Sequence, residues 1–281
     1  MPDATQHIDL NTYPIDGSNP EGFAALIADI QAQLDADGCA VLRDFIKPES
    51  LPLLVAEADA VADKGHRSFN RTNVYFTQDD PSLPETHPMR QFYERSNAFI
   101  PADNFRENSI LRAIYEYPLF AAFVKQALNE DNFFRYADPL ADVIINAAEE
   151  GNGFPWHFDT NNYTVTLAIQ NAEEGGEFEY APNFRTSTDE NYPGVSDVLN
   201  ETSDQVKTLR LHPGDLPIFK GRYSLHRVCP LKGPIPRYVA IFSYVEQEGM
   251  VGSPERTRQL YGRVLPIHKE RAGPRADALI D

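Results

Sequence analysis

The sequence predicts a mainly β protein in which a helical N-terminal layer precedes an antiparallel β core of sandwich or barrel type. Three observations predict it. Apolar residues recur at helical spacing in three stretches before residue 130. After about residue 140 that period gives way to short β-rich runs. These runs are separated by Gly, Pro, Asn and Asp, as in sandwiches and barrels.

The first helix is expected over residues 20–37, where Phe23, Leu26, Ile27, Ile30 and Leu34 share one face and Gly38 supplies the stop. Residues 39–43 then read as a short strand. Pro48 and Glu49 open a second helix to about Lys64, with Leu51, Leu54, Val55, Ala58 and Val61 on one side. Residues 66–108, rich in Pro, Asn and Asp, read as long loops with one hairpin, a stretch suited to a lid or pocket wall. Helical spacing returns over residues 109–129. The β runs follow at Asp142–Asn146, Thr164–Gln170, Gly176–Tyr180, Val206–Leu211, Asp215–Phe219 and Tyr238–Val245. Residues 254–281 carry six basic and four acidic residues and are expected to pack back over the core. We read residues 1–281 as one domain: a helical and loop region over 1–140, a β core over 141–247 and a C-terminal extension over 248–281.

The composition narrows the function. The net charge of −17, from 25 basic and 42 acidic residues, repels phosphate backbones and anionic lipid, so no nucleic-acid or membrane partner is expected. No apolar run is long enough to span a bilayer, and the first ten residues lack a secretory leader. These features predict a cytoplasmic protein with a small-molecule partner. Cys39 and Cys229 lie 190 positions apart without a C-x-x-C pattern, as expected for reduced core thiols.

Three features of the β half converge on one chemistry. In Trp156-His157-Phe158-Asp159, strand periodicity would turn His157 and Asp159 to the same side. A second histidine, His226, follows 69 positions later, and Arg237 stands eleven residues beyond it. Two imidazoles and one carboxylate form the facial triad of non-haem Fe(II), which leaves three adjacent coordination positions. A bidentate 2-oxo acid fills two of them and O2 the third. A nearby arginine fork suits the distal carboxylate of that acid. Zinc accepts the same three ligands, but the downstream arginine favours the oxygenase over a zinc hydrolase.

The run from Ala141 to Val245, with its H-x-D…H…Arg pattern and the phrase Pro213-Gly214-Asp215-Leu216 leading to His226-Arg227-Val228, resembles the double-stranded β-helix (jelly-roll, cupin-like) core of the Fe(II)/2-oxoglutarate-dependent oxygenases. Leu34–Ile46 resembles the helix-then-strand entry of that superfamily. Trp156–Asp159, Gly175–Pro182 and Gly221–Val228 are most similar to small bacterial enzymes acting on free amino acids, among them lysine hydroxylases and lysine halogenases. The resemblance implies His157, Asp159 and His226 as iron ligands and Arg237 as the clamp for 2-oxoglutarate, with Asn146, Thr166 and Ser243 assisting. It implies Fe(II), 2-oxoglutarate and O2 as cofactors, with ascorbate as reductant in vitro. Halogenases of this kind carry Gly or Ala in place of the carboxylate ligand. Asp159 therefore implies hydroxylation, with desaturation or cyclisation as other outcomes at the same centre. A non-catalytic metal-binding sensor is the remaining alternative. Arg90, Arg95, Trp156, Asn161 and Asn162 are the expected substrate contacts.

Overall fold

The long β-rich runs pair into one large sheet because their inward faces are apolar and cannot be covered locally. The computed structural model describes residues 1–67, 70–271 and 279–280. Its main sheet runs in the order Cys39–Leu42, Leu216–Phe219, Tyr163–Gln170, Arg237–Val245, Val143–Ala148, Ala98–Ile100 and His66–Arg67, every pair antiparallel. Phe134–Arg135 also pairs with Arg237–Val245. A second sheet holds Lys207–Leu209, Phe178–Ala181, Leu225–Val228 and Phe154–His157. Residues of both sheets line one cavity between them. This is the expected double-stranded β-helix.

Two adjacent core strands are buried along nearly their whole length, Val143–Ala148 completely and Arg237–Val245 at all but Ile241. Their register matches Arg237 to Ala148 and Phe242 to Val143. One face of this sheet meets the helices. Phe120, Phe123, Leu111 and Ile114 pack there against Phe242, Val143 and Val165, all fully shielded from solvent. Each such side chain stabilises the fold by about 1.5–3 kcal/mol. The opposite face is left for the cavity.

The first helix spans Pro20–Asp37 as expected, closed by Gly38 in the left-handed region at φ 66°. The other elements differ from expectation in instructive ways. The second helix is only Leu51–Asp59, flanked by single 3-10 turns at Pro48–Ser50 and Ala62–Lys64. The stretch 109–129 is two helices, Ile110–Glu116 and Pro118–Leu128, because Pro118 holds Tyr117 extended at ψ 116°. The region 66–108 is mostly loop among its described residues, as expected, but it holds more paired strand than one hairpin. Asn70–Thr72 pairs with Tyr93–Arg95, and Ala98–Ile100 and His66–Arg67 extend the main sheet. The N-terminal region therefore contributes strands as well as helices to the core. Tyr192–Leu199 is a helix that the sequence did not announce. The C-terminal segment packs back through helices Pro254–Tyr261 and Pro266–Arg271; its residues 272–278 and 281 lie outside the described ones.

Candidate metal centre

His157 ends its strand directly opposite His226 on the neighbouring one. The register slips between His226 and Val228, so three steps on the strand Phe154–His157 match two on its partner. This bulge re-aims the side chains. Phe154 and His157 both line the cavity, while Trp156 packs on the far side against Val74, Tyr75 and Phe158. Asp159 lies beyond the strand, so simple alternation does not position it. Its N–H donates to Gly221 O at 3.1 Å and the preceding Phe158 N–H to Val74 O at 3.1 Å. The chain therefore turns back, and the carboxylate meets both imidazoles.

Asp159 Oδ1 lies 3.6 Å from His157 Nε2 and 3.5 Å from His226 Nε2. One donor atom from each residue falls within 4.8 Å of the other two. Both imidazoles are fixed from behind: His157 Nδ1 donates to Pro155 O and His226 Nδ1 to Ser224 O, each at 2.8 Å. A carbonyl only accepts, so each ring carries a proton at Nδ1. Burial, reinforced by the neighbouring His226, pushes His157 down to about 4. Its Nε2 is thus a lone pair at neutral pH. Burial works against ionisation of Asp159, but the pull of His226 and His157 outweighs it and holds the carboxyl well below the usual range. Thr164 donates its hydroxyl to Asp159 Oδ2 at 2.5 Å. Two imidazole Nε2 atoms and an anionic oxygen, oriented by surrounding groups, are a fitting donor set for a divalent ion.

The cavity holds about 570 Å³. Along Arg237–Val245 every second residue faces it: Arg237, Val239, Ile241 and Ser243. Asn146 sits opposite Val239 and Thr166 opposite Ile241, and both also line the cavity. Arg237 is 6% exposed and has no ion pair among the described residues. Burial alone draws it down to about 10, so it remains a cation. A buried guanidinium without a carboxylate, on the wall of a cavity that also holds the triad, fits a bound carboxylate ligand. His157, Asp159 and His226 can hold the ion, and Arg237 with Asn146, Thr166 and Ser243 can hold an acidic co-ligand.

The expected substrate contacts are mostly elsewhere. Asn161 lines the cavity, but Asn162 does not. Arg90 pairs with Asp79 at 3.0 Å, away from the cavity, because the turn Pro88–Arg90 closes onto its own loop. Arg95 is 1% exposed and lies behind the cavity wall, 4.6 Å from the Phe154 ring centroid. Trp156 faces away because of the bulge, with Arg227 4.8 Å from its ring. Sequence reasoning missed Phe76, Arg256, Thr164 and Gly221. Only Gly221 carried a signal, a lone glycine in the run into His226. A Cβ there would overlap Asp159 Oδ2 and the Thr164 hydroxyl.

A family model described as Halogenase D matches residues 24–259. No curated protein matches the chain. Among solved structures, the chain is similar to an oxidoreductase of the 2OG-Fe(II) oxygenase family from Burkholderia pseudomallei, 15% identical, with a TM-score of 0.50 over 79% of this chain and 92% of that one. It is similar to the non-heme alpha ketoglutarate dependent carbocyclase SnoK from nogalamycin biosynthesis, 13% identical, TM-score 0.54, covering 78% and 83%. A third is AviO1 from Streptomyces viridochromogenes Tue57, 14% identical, TM-score 0.52, covering 80% and 97%. At such identities the likeness is one of fold. The match of the family model over most of the chain goes further, and the chain belongs to the Halogenase D family of the Fe(II)/2-oxoglutarate-dependent oxygenases.

Proposed function

We propose that the chain hydroxylates an unactivated C–H bond of a small molecule, a free amino acid or an amine-bearing metabolite. The observation that carries this reading is the meeting of His157 Nε2, Asp159 Oδ1 and His226 Nε2 on the wall of the cavity that Arg237 also lines. In this reading the three side chains hold Fe(II) and Arg237 grips the distal carboxylate of 2-oxoglutarate by its planar fork. Asn146, Thr166 and Ser243 offer hydrogen bonds along the same floor. Fe(II) held by these residues would supply the oxidising chemistry, the conversion of 2-oxoglutarate and O2 into succinate and CO2 with oxidation of the substrate. The chain's share is placement and dryness: Phe154, Phe219, Val239 and Ile241 keep water from the reacting bond.

The matched family is named for halogenation, so the carboxylate decides between the two outcomes. Halogenases resembling this chain lack it. Here Asp159 is present, hydrogen-bonded by Thr164 and tied to Gly221, which supports hydroxylation.

The test is incubation with Fe(II), ascorbate, 2-oxoglutarate and chloride against a panel of free amino acids and amines, read by succinate and product mass. Hydroxylation gives substrate-dependent succinate and a product heavier by one oxygen. A chlorinated product overturns the outcome but not the iron site. A product lighter by two hydrogens assigns desaturation or cyclisation. Absence of succinate points to a sensor, and turnover with zinc and no O2 to a hydrolase. Asp159→Gly should end hydroxylation.

A further inference from the structure

Aromatic rings wall the candidate ligands. Phe154 stacks on the His157 imidazole, with centroids 3.7 Å apart and planes 19° apart, and Phe76 stands 5.7 Å from the same ring. Phe178 and Phe219 lie 5.5 and 5.2 Å from the ring of His226. All four line the cavity. From Phe154 the lining continues through Phe99, Ala141, Ile144 and Leu260, which belong with it to one apolar cluster. An apolar recess therefore adjoins the triad, and a hydrocarbon group gains by leaving water for it.

An ammonium carried into that recess would meet no free buried carboxylate among the described residues. Three described acids line the cavity: Asp159, Asp138 and Glu255. Asp159 already faces both imidazoles. Asp138 is 1% exposed, accepts from Leu140 N and Gly252 N at 2.9 Å and stands 3.0 Å from His268 Nε2. Glu255 is exposed. The ammonium would also approach a fixed cation. Arg95 lies behind the same wall, its guanidinium carbon 4.6, 5.1 and 5.9 Å from the centroids of Phe154, Phe99 and Phe76. It is 1% exposed; its Nε donates to Asn97 Oδ1, and its Nη1 and Nη2 have no hydrogen-bond partner among the described residues. Burial draws it down to about 9, so it is charged at neutral pH. In an apolar surround such a charge repels a second cation across the rings and leaves a hydrocarbon chain undisturbed.

We infer that the substrate is an amino acid with an uncharged hydrocarbon side chain, received by the recess of Phe99, Ala141, Ile144 and Phe154 so that its C–H bonds face the candidate metal centre. The inference rests on the oxygenase reading and narrows it. The lysine-acting enzymes that the sequence resembles take a side chain with a cationic end; this recess, backed by Arg95, turns such an end away. The amino and carboxylate groups stay toward the solvent-facing part of the lining, where Gln78 and Glu255 are exposed.

The test is calorimetric titration of the full chain, loaded with Mn(II) and 2-oxoglutarate so that no turnover starts, with L-2-aminobutyrate, L-norvaline, L-norleucine, L-lysine and L-glutamate. Affinity should rise along the first three by about three- to four-fold per methylene. Lysine is norleucine with a terminal ammonium, and it should bind roughly ten-fold or more weaker than norleucine, as should glutamate. Ala141→Leu fills the recess and should erase the gain from norvaline to norleucine. Arg95→Met keeps the length, removes the charge and should bring lysine closer to norleucine. Lysine or glutamate binding as tightly as norleucine, a flat response along the series, no binding by any of the five, or a folded Ala141→Leu variant that keeps the gain overturns the inference. Titration of Mn(II) and then 2-oxoglutarate alone reports on the oxygenase reading separately: if neither binds while the metal-free chain still shows the rising series, that reading falls and the recess stands.

Discussion

Gly221 and Asp159 hold each other in place. The Asp159 N–H donates to Gly221 O at 3.1 Å, and the space beside Gly221 Cα is filled by the Asp159 carboxylate itself. Any side chain at 221 would push the carboxylate off the two imidazoles. Groups that orient metal ligands typically contribute 10- to 100-fold in affinity. Gly221→Ala should weaken Mn(II) or Fe(II) binding by at least roughly ten-fold, with the far-ultraviolet circular dichroism unchanged. Unaltered affinity would mean that Asp159 is not a ligand.

Arg237 is a buried cation with no carboxylate partner among the described residues. Removing it should be felt by the co-substrate. A charge-assisted pair contributes about 1.5–3 kcal/mol, so Arg237→Gln should raise the 2-oxoglutarate Kd or KM about 10- to 100-fold. The metal affinity should change far less. A direct titration of 2-oxoglutarate into the metal-loaded variant checks both.

Asp215 explains the Pro213-Gly214-Asp215 phrase in structural terms. Its Oδ1 accepts from Asp44 N at 3.1 Å, and its Oδ2 accepts from His212 N at 2.8 Å and Arg43 Nη1 at 2.5 Å. At 1% exposed, it ties the end of the Cys39–Leu42 strand to the start of Leu216–Phe219. Asp215→Ala orphans two backbone donors, each worth about 1–3 kcal/mol when buried. Urea denaturation should show a loss of at least about 2 kcal/mol. A loss confined to a few tenths would assign Asp215 no role in holding this edge.

The two thiols should differ in reactivity. Burial, then Asp37, pushes Cys39 up to about 12, whereas Cys229 is only half-buried, with its thiol raised by burial and by Glu179. A raised thiol stays protonated and unreactive until the pH approaches that value. At pH 8 a disulfide reagent should titrate one thiol slowly in the native chain and two in denaturant, and the rate for Cys229 should climb with pH. Two fast thiols in the native state would contradict the burial of Cys39.

The sequence was most legible where chemistry and periodicity coincide. Arg237, Val239, Ile241 and Ser243 share the cavity face as strand alternation requires. It was least legible where the chain departs from a regular period. Alternation assigned the partnership of His157 and Asp159 to one strand, but the strand ends at His157 and a loop bonded to Gly221 completes it. The bulge that turned Trp156 outward leaves no local mark, because it depends on the register with His226 far along the chain. Arg90 and Arg95 were chosen for charge and position in a long loop. Whether such a residue meets the cavity depends on long-range pairing, here of Tyr93–Arg95 with Asn70–Thr72, which buries Arg95 behind Phe154. Phe76 and Arg256 were hidden for the same reason, since their meeting joins segments 180 positions apart.

The bulge also gives the chain an optical property. Trp156, the chain's single tryptophan, is next to a candidate metal ligand in sequence but back to back with it in space, capped by Arg227 and sealed from the cavity. Its indole emission therefore reads the alignment of one short strand rather than what the cavity contains. Ligands that fill the cavity without moving that strand should be dark to it, and any event that irons out the bulge should shift its colour.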